Sequence, residues 1–287
     1  MKIVAGSASR NIAKNLAEKL KTEIAHTEIK RFPDGEVYIR LFENLDNEDV
    51  ILVQNTYPDS NIIELLLLQD AIKQYKIKKL ITVIPYFGYG RQDKRFNEGE
   101  PVSARLMAKI LQMNSDEIII VNLHASDTLK WFDIPAYEVR AEYALAKYLE
   151  RFKPDIIISP DKGSIERAKY VADLLNVKYD HFEKKRISGD KVVIEKKDLD
   201  VQGKVVAIVD DMISTGSTII AAAQILREQK AEKVVVGCIH GVFVNNSLQK
   251  LEMYVDAIIS TDTIENEKSV VTVADLIYDQ IMKNNLN

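Results

Sequence analysis

An α/β fold of mainly parallel sheets flanked by helices is predicted for this chain of 287 residues, on three observations. Short apolar runs alternate with helix-patterned segments along the whole chain, the signature of successive βα units. Runs such as Val205-Val206-Ala207-Ile208-Val209 are apolar at every position rather than at alternate ones, which suits a strand covered on both faces inside a parallel sheet. The run 205–209 leads through a hydroxyl-rich turn into a helical pattern, which places that turn at the carboxyl edge of a sheet, where α/β folds bind ligands.

In chain order the expected strands are 2–5, 50–54, 79–84, 117–121, 156–159, 205–209, 234–239 and 257–260, each an aliphatic run of strand length. The expected helices are 9–20, 62–75, 102–113, 141–152, 165–175, 219–229 and 274–283, where apolar residues recur at three- and four-residue spacing. No low-complexity linker divides the chain. The pattern restarts with a helix and a new strand-turn-helix unit near 139–142, so the expected domains are 1–140 and 141–287.

With 46% apolar and 29% charged residues the chain has enough material for one large or two ordinary cores. Its 39 basic and 43 acidic residues give a net charge of −4, which argues against a nucleic-acid or anionic-membrane surface. The longest apolar run, near 62–68, is far short of a membrane span, and Met1-Lys2-Ile3-Val4-Ala5-Gly6 reads as a first strand rather than a signal peptide. A cytoplasmic protein is expected. The single cysteine, Cys238, lies in the apolar run 234–239 and reads as a core residue.

The most informative stretch follows the strand at 205–209. Asp210 and Asp211 come first, and Ser214, Thr215, Gly216, Ser217 and Thr218 then open a helix. Unpaired amides at a helix N-terminus, joined by hydroxyl donors, suit a phosphate dianion, while carboxylates accept hydrogen bonds from sugar hydroxyls. A phosphorylated sugar is the ligand this combination describes. The turn lacks the Gly-Lys-Ser/Thr of a Walker A loop. A capped helix with no ligand would explain the hydroxyls but not the acid pair, because two adjacent like charges cost stability without a partner. A second strand-turn-helix site follows 156–159, where Asp161, Lys162, Gly163 and Ser164 form a short turn able to hold an anion.

These two loops resemble the fingerprint of the phosphoribosyl diphosphate binding families, the second matching their pyrophosphate loop. Ser164 and Ser217 stand where glycine is common in that pattern. Transferases that consume phosphoribosyl diphosphate share the fingerprint with the pyrophosphokinase that makes it. Three further motifs decide between them: Phe32-Pro33-Asp34-Gly35-Glu36, the cationic loop with Arg91, Gln92 and Lys94, and Asn122-Leu123-His124. Together they resemble the ribose-phosphate pyrophosphokinase family over nearly the whole chain.

That resemblance implies two similar phosphoribosyltransferase-like domains, with ATP bound by residues 1–140 and ribose 5-phosphate by 141–287. It implies ATP contacts from Phe32, Asp34, Glu36, Arg91, Gln92, Lys94 and His124, and sugar-phosphate contacts from Asp210, Asp211 and the 214–218 loop. Magnesium is the implied cofactor, with His124 and Asp161 at the metal; Asn122 replaces an aspartate common beside it. Lys184 and Arg186 match a loop that closes over the transferring phosphate. The implied assembly is a homo-oligomer, a dimer or an assembly of dimers, whose ATP site is completed by the neighbour's Phe-x-Asp-Gly-Glu loop. A phosphoribosyltransferase would leave the 91–95 cations and His124 idle, and a non-catalytic regulatory homologue would be expected to have lost loop residues that are present here.

Overall fold

The first five parallel strands, β1 (Lys2–Ala5), β4 (Asp49–Val53), β5 (Lys79–Ile84), β6 (Glu117–Val121) and β7 (Ala136–Val139), pair in that order with every neighbour parallel. The computed structural model describes residues 1–188, 191–195 and 199–285, with the backbone alone for 184–188, 191–195 and 285. On one face, Val4, Val50, Leu52, Leu80, Ile118 and Ile120 meet Leu65, Leu68 and Ile72 of α2 (Asp59–Lys73) and Ala104, Ala108 and Leu111 of α3 (Ser103–Leu111). Helix α1 (Arg10–Leu20) packs on β1 and β4 and buries Ile12, Ala13, Leu16 and Ala17. Because strands of a parallel sheet are covered on both faces, these sequences are apolar throughout.

A hairpin of β2 (Thr27–Arg31) and β3 (Val37–Leu41) forms a separate antiparallel ribbon that the sequence reading does not include. Its strands mix charged and apolar residues and stay partly exposed, so no continuous apolar run marks them.

The second unit repeats the architecture with six parallel strands in the order β15-β14-β13-β12-β8-β9. In chain order its elements are α4 (Glu142–Leu149), β8 (Ile156–Ser159), α5 (Ile165–Leu175), β9 (Lys178–His181), the hairpin β10 (Glu183–Ser188) and β11 (Lys191–Glu195), β12 (Val205–Ile213), α6 (Ser217–Glu228), β13 (Lys233–Gly241), α7 (Ser247–Glu252), β14 (Ala257–Thr261) and β15 (Ser269–Val271). Ile156, Ile158, Val206, Ile208, Val234 and Val236 meet Ile219, Ala222, Ala223 and Leu226 of α6, with Phe182 and Cys238 fully buried in the same core. Helix α4 covers the other face so closely that a Cβ on Gly237 would stand 3.2 Å from Leu145 Cδ1.

Strand β12 continues four residues past the expected end at 209, because its backbone goes on pairing with β13 through Asp210↔Cys238, Met212↔His240 and Ile213↔Gly241. The acid pair therefore lies in the strand, and the turn is only Ser214 to Gly216.

The last helix, α8 (Ala274–Asn285), departs from the expected domain 141–287. It packs on α1, β6 and β7, and from Val273 onward the chain clusters with residues 1–140; residues 141–262 and 266–272 make the other unit. Ile277 and Ile281 are fully buried there, Asp275 pairs with Lys19, and the Asn284 amide donates to Glu117 Oε1 at 2.6 Å. Among the described residues no helix is long and apolar enough to cross a membrane.

Replacing Ile281 with Ala should cost about 2–5 kcal/mol, the usual range for emptying a closed aliphatic site. Limited proteolysis of the variant should open segments of the first unit, such as 117–139, before 156–240; the reverse order would assign α8 to the second unit.

Candidate active site

Strands β8 and β12 are parallel neighbours, so the turns that leave their carboxyl ends emerge side by side. Gly216 makes the second turn possible: it caps α6 with φ +74°, a left-handed conformation that costs other residues about 1–2 kcal/mol, and a Cβ there would press within 3.0 Å of Leu251. The first-turn amides of α6 have no partner within the helix, and Thr215 and Ser217 at its N-terminus are both exposed. The loop is braced from behind, since the Ser214 carbonyl accepts the Val244 amide at 3.1 Å and the Ser247 hydroxyl at 2.8 Å.

Asp210 and Asp211 precede this cradle. Asp210 Oδ1 accepts the Asp211 amide at 2.9 Å and the Ser164 hydroxyl at 2.5 Å, while Asp211 Oδ1 accepts the Met212 amide at 2.8 Å. Burial, with the Asp211 carboxylate beside it, pushes the Asp210 carboxyl well above the usual carboxylate range. Asp161 adds to that push and the Ser164 hydroxyl opposes it. The same acids, after burial itself, raise the Cys238 thiol. Asp161 starts the neighbouring turn in extended backbone, and its Oδ1 accepts the Gly163 amide at 2.9 Å. Lys162 pairs with Glu183 at 3.3 Å on the surface. The structure thus brings Asp161, Ser164, Asp210 and Asp211 together next to Ser214, Thr215, Gly216, Ser217 and Thr218.

Lys184 and Arg186 lie on β10, with backbones opposite Ile194 and Val192 of β11. Their side chains lie outside the described residues.

In the first unit the loop after β5 turns against Thr56. The Gly88 amide donates to Thr56 Oγ1 at 2.6 Å, and a Cβ on Gly88 would stand 2.6 Å from the Thr56 carbonyl oxygen. Tyr89 takes φ +63°, and a hydrogen bond to Asp59 raises its phenol. A Cβ on Gly90 would meet His124 Cβ at 3.9 Å, so the 91–95 cations start beside the exposed His124. Arg91 and Lys94 are exposed, whereas Gln92 Oε1 already accepts from the Ser103 hydroxyl at 2.5 Å. The His124 turn is held from below, where Glu138 Oε1 accepts the Leu123 amide at 2.9 Å.

Phe32, Asp34 and Glu36 sit at the tip of the β2–β3 hairpin. Asp34 Oδ1 accepts the Glu36 amide at 3.1 Å, and Phe32, 46% exposed, meets Tyr38 edge-on. This loop is built by its own bonds and presents a half-exposed aromatic ring.

Sequence reasoning missed Ser247, Leu251, Glu138 and Thr56, which hold site loops rather than form their rims, and Glu64, which holds the turn after β1. Glu64, 1% exposed on α2, accepts the Ser7 amide and the Gln54 side chain, each at 2.7 Å, and so fixes the turn after β1. Nothing local in the sequence marks these partners, which lie 10 to 57 residues from the groups they hold. Among the described residues no three of His, Cys, Asp and Glu converge as a ready-made metal site.

Residues 1–114 match the family described as the N-terminal domain of ribose phosphate pyrophosphokinase, and residues 131–276 match the phosphoribosyl transferase domain. Ribose-phosphate pyrophosphokinases of Thermoplasma acidophilum and Methanopyrus kandleri are 38% and 41% identical to this chain, each over 98% of it and 98% of their own length. This chain belongs to the ribose-phosphate pyrophosphokinase family. The crystal structure of phosphoribosylpyrophosphate synthetase from Mycobacterium smegmatis superposes with a TM-score of 0.86 at 28% identity, over 100% of this chain and 99% of that one. The two phosphoribosyltransferase-like domains expected from the sequence are those the structure contains.

A carboxyl whose pKa is higher in the folded than in the unfolded chain binds more protons when folded, so Asp210 weakens the fold as pH rises from its ordinary value of 3.8 through its raised one. Asp210→Asn keeps an acceptor oxygen and removes the charge. Its melting temperature at pH 8 should exceed that of the parent by a few degrees, with the gain shrinking toward pH 4. A gain that does not vary with pH would mean that Asp210 is not under this strain.

Proposed function

We propose that this pyrophosphokinase makes 5-phospho-α-D-ribose 1-diphosphate by moving the diphosphoryl group of ATP to the anomeric hydroxyl of ribose 5-phosphate. The observation that carries the reading is the acid pair of β12 running into the hydroxyl-lined N-terminus of α6, in a chain that matches pyrophosphokinases throughout. The anomeric oxygen forms a bond to the β-phosphorus, the bond from that phosphorus to the α-phosphate oxygen breaks, and AMP leaves.

Asp210 and Asp211 receive the ribose hydroxyls, and Ser214 to Thr218 hold the 5-phosphate with backbone amides and hydroxyls. Asp161, Lys162, Gly163 and the backbone amide of Ser164 serve the incoming diphosphate. Phe32 lies against adenine, Asp34 and Glu36 accept from the base or its ribose, and Arg91, Gln92, Lys94 and His124 attend the triphosphate. Gln92 keeps its amide nitrogen as a donor, since the Ser103 bond uses the oxygen.

Magnesium fits the donors present. Such ions are held by one or two carboxylates together with substrate phosphates, and Asp161 supplies a carboxylate at the diphosphate turn. We assign His124 to magnesium at the triphosphate of ATP. When bound, magnesium neutralises the charge of the transferring group. Lys184 and Arg186 add charge as the bonds exchange, a contribution of roughly 10³–10⁵ in rate for a well-placed cation. We place the enzyme in the cytoplasm, without a nucleic-acid partner.

Release of AMP from ATP and ribose 5-phosphate is the direct assay. A phosphoribosyltransferase would release none. Lys184→Ala should lower turnover by orders of magnitude with little change in the Michaelis constant for ATP, because the cation acts in the transition state. Unchanged turnover would remove that residue from catalysis.

A homo-oligomer in which the 32–36 loop of one protomer completes the ATP site of its neighbour agrees with the exposed Phe32 ring and the self-contained hairpin. Asp34→Ala and His124→Ala proteins, each inactive, should then regain part of the activity after subunit exchange, since mixed assemblies contain some intact sites. If labelled subunits exchange and no activity returns, each protomer has its own complete ATP site.

A further inference from the structure

Ser164 is the N-cap residue of α5, a position from which a serine ordinarily caps its own helix by accepting an amide of the first turn. It makes no such bond. Its hydroxyl instead crosses to β12 and donates to Asp210 Oδ1 at 2.5 Å, linking residues 46 apart in sequence. Ser164 is 4% exposed, so water is poorly placed to substitute for that hydroxyl. The acceptor oxygen also takes the Asp211 amide at 2.9 Å, and two donors converging on one oxygen fix the plane of the carboxyl.

We propose that Ser164 is a positioning residue for the sugar: it holds Asp210 in the orientation that receives the ribose hydroxyls, and so joins the diphosphate turn to the sugar site. The proposal rests on the reading of this site as the ribose 5-phosphate site. It assigns Ser164 a role distinct from its loop neighbours. Gly163 and Lys162 would serve the diphosphate, whereas the Ser164 hydroxyl acts through Asp210 on the other substrate.

A positioning role of this kind affects binding of one substrate and leaves the chemical step alone. The experiment compares the parent enzyme with Ser164→Ala, measuring AMP release at varied ribose 5-phosphate and varied ATP, and binding of inorganic pyrophosphate by calorimetry. The Michaelis constant for ribose 5-phosphate should rise by about tenfold, the usual effect of removing a hydrogen bond to a charged group. Turnover, the constant for ATP and pyrophosphate affinity should stay within about twofold of the parent, a range too small to be one lost hydrogen bond. Ser164→Gly removes the same hydroxyl and replaces the alanine variant if that protein melts below the assay temperature. An unchanged constant for ribose 5-phosphate overturns the proposal, as does weakened pyrophosphate binding, which would place the hydroxyl on the diphosphate itself. A loss spread over both substrates and turnover also overturns it, because it marks a general structural role. If the parent itself releases no AMP from the two substrates, the reading of the reaction fails and the proposal falls with it.

Discussion

Asp210 ties the turn after β8 to strand β12, because its Oδ1 accepts the Ser164 hydroxyl across the two parallel strands. Its carboxyl is partly buried, has another carboxyl beside it, and resists ionisation for both reasons. A fold selected for stability alone would not keep such a group. The surroundings limit the cost without removing it, through amide and hydroxyl donors to both acids. A sugar with two adjacent hydroxyls can donate to both acids, which agrees with the ligand proposed for this pair.

Sheet topology delivers those parts to one place. Parallel pairing of β8 with β12 is in register at Ile156↔Val206 and Ile158↔Ile208, so Asp161 and Asp210 come off the same edge although their sequences are 49 residues apart. The first unit uses the same device with opposite charge. Neighbouring strands β5 and β6 set the Gly90 turn against His124, and the cations of the loop follow. One architecture thus offers an acid-lined edge in one unit and a base-lined edge in the other.

Much of this was legible in the sequence because buried parallel strands are written as unbroken aliphatic runs. The strands at 2–5, 79–84, 117–121 and 156–159 and the helix at 165–175 have the bounds expected of them. What escaped was decided by long-range pairing. Asp210 and Asp211 look like the end of a strand, yet β13 keeps β12 extended as far as Ile213. The β2 and β3 ribbon carries too many charges to give an apolar signal. Helix α8 was recognised as a helix, but which core its Ile277 and Ile281 enter depends on α1, more than 250 residues earlier. The supports of the site, such as Ser247 behind Ser214 and Glu138 beneath Leu123, are ordinary polar residues whose importance appears only with their partners.

Amide hydrogen exchange with and without ribose 5-phosphate tests the central claim most directly, because the cradle is built largely from backbone N–H groups. The account predicts slowed exchange in 210–220, where the acid pair and the N-terminus of α6 close on the ligand, with a smaller effect at 161–166. Protection confined to 31–36 and 86–95, with 210–220 unchanged, would place the sugar phosphate in the first unit and contradict it.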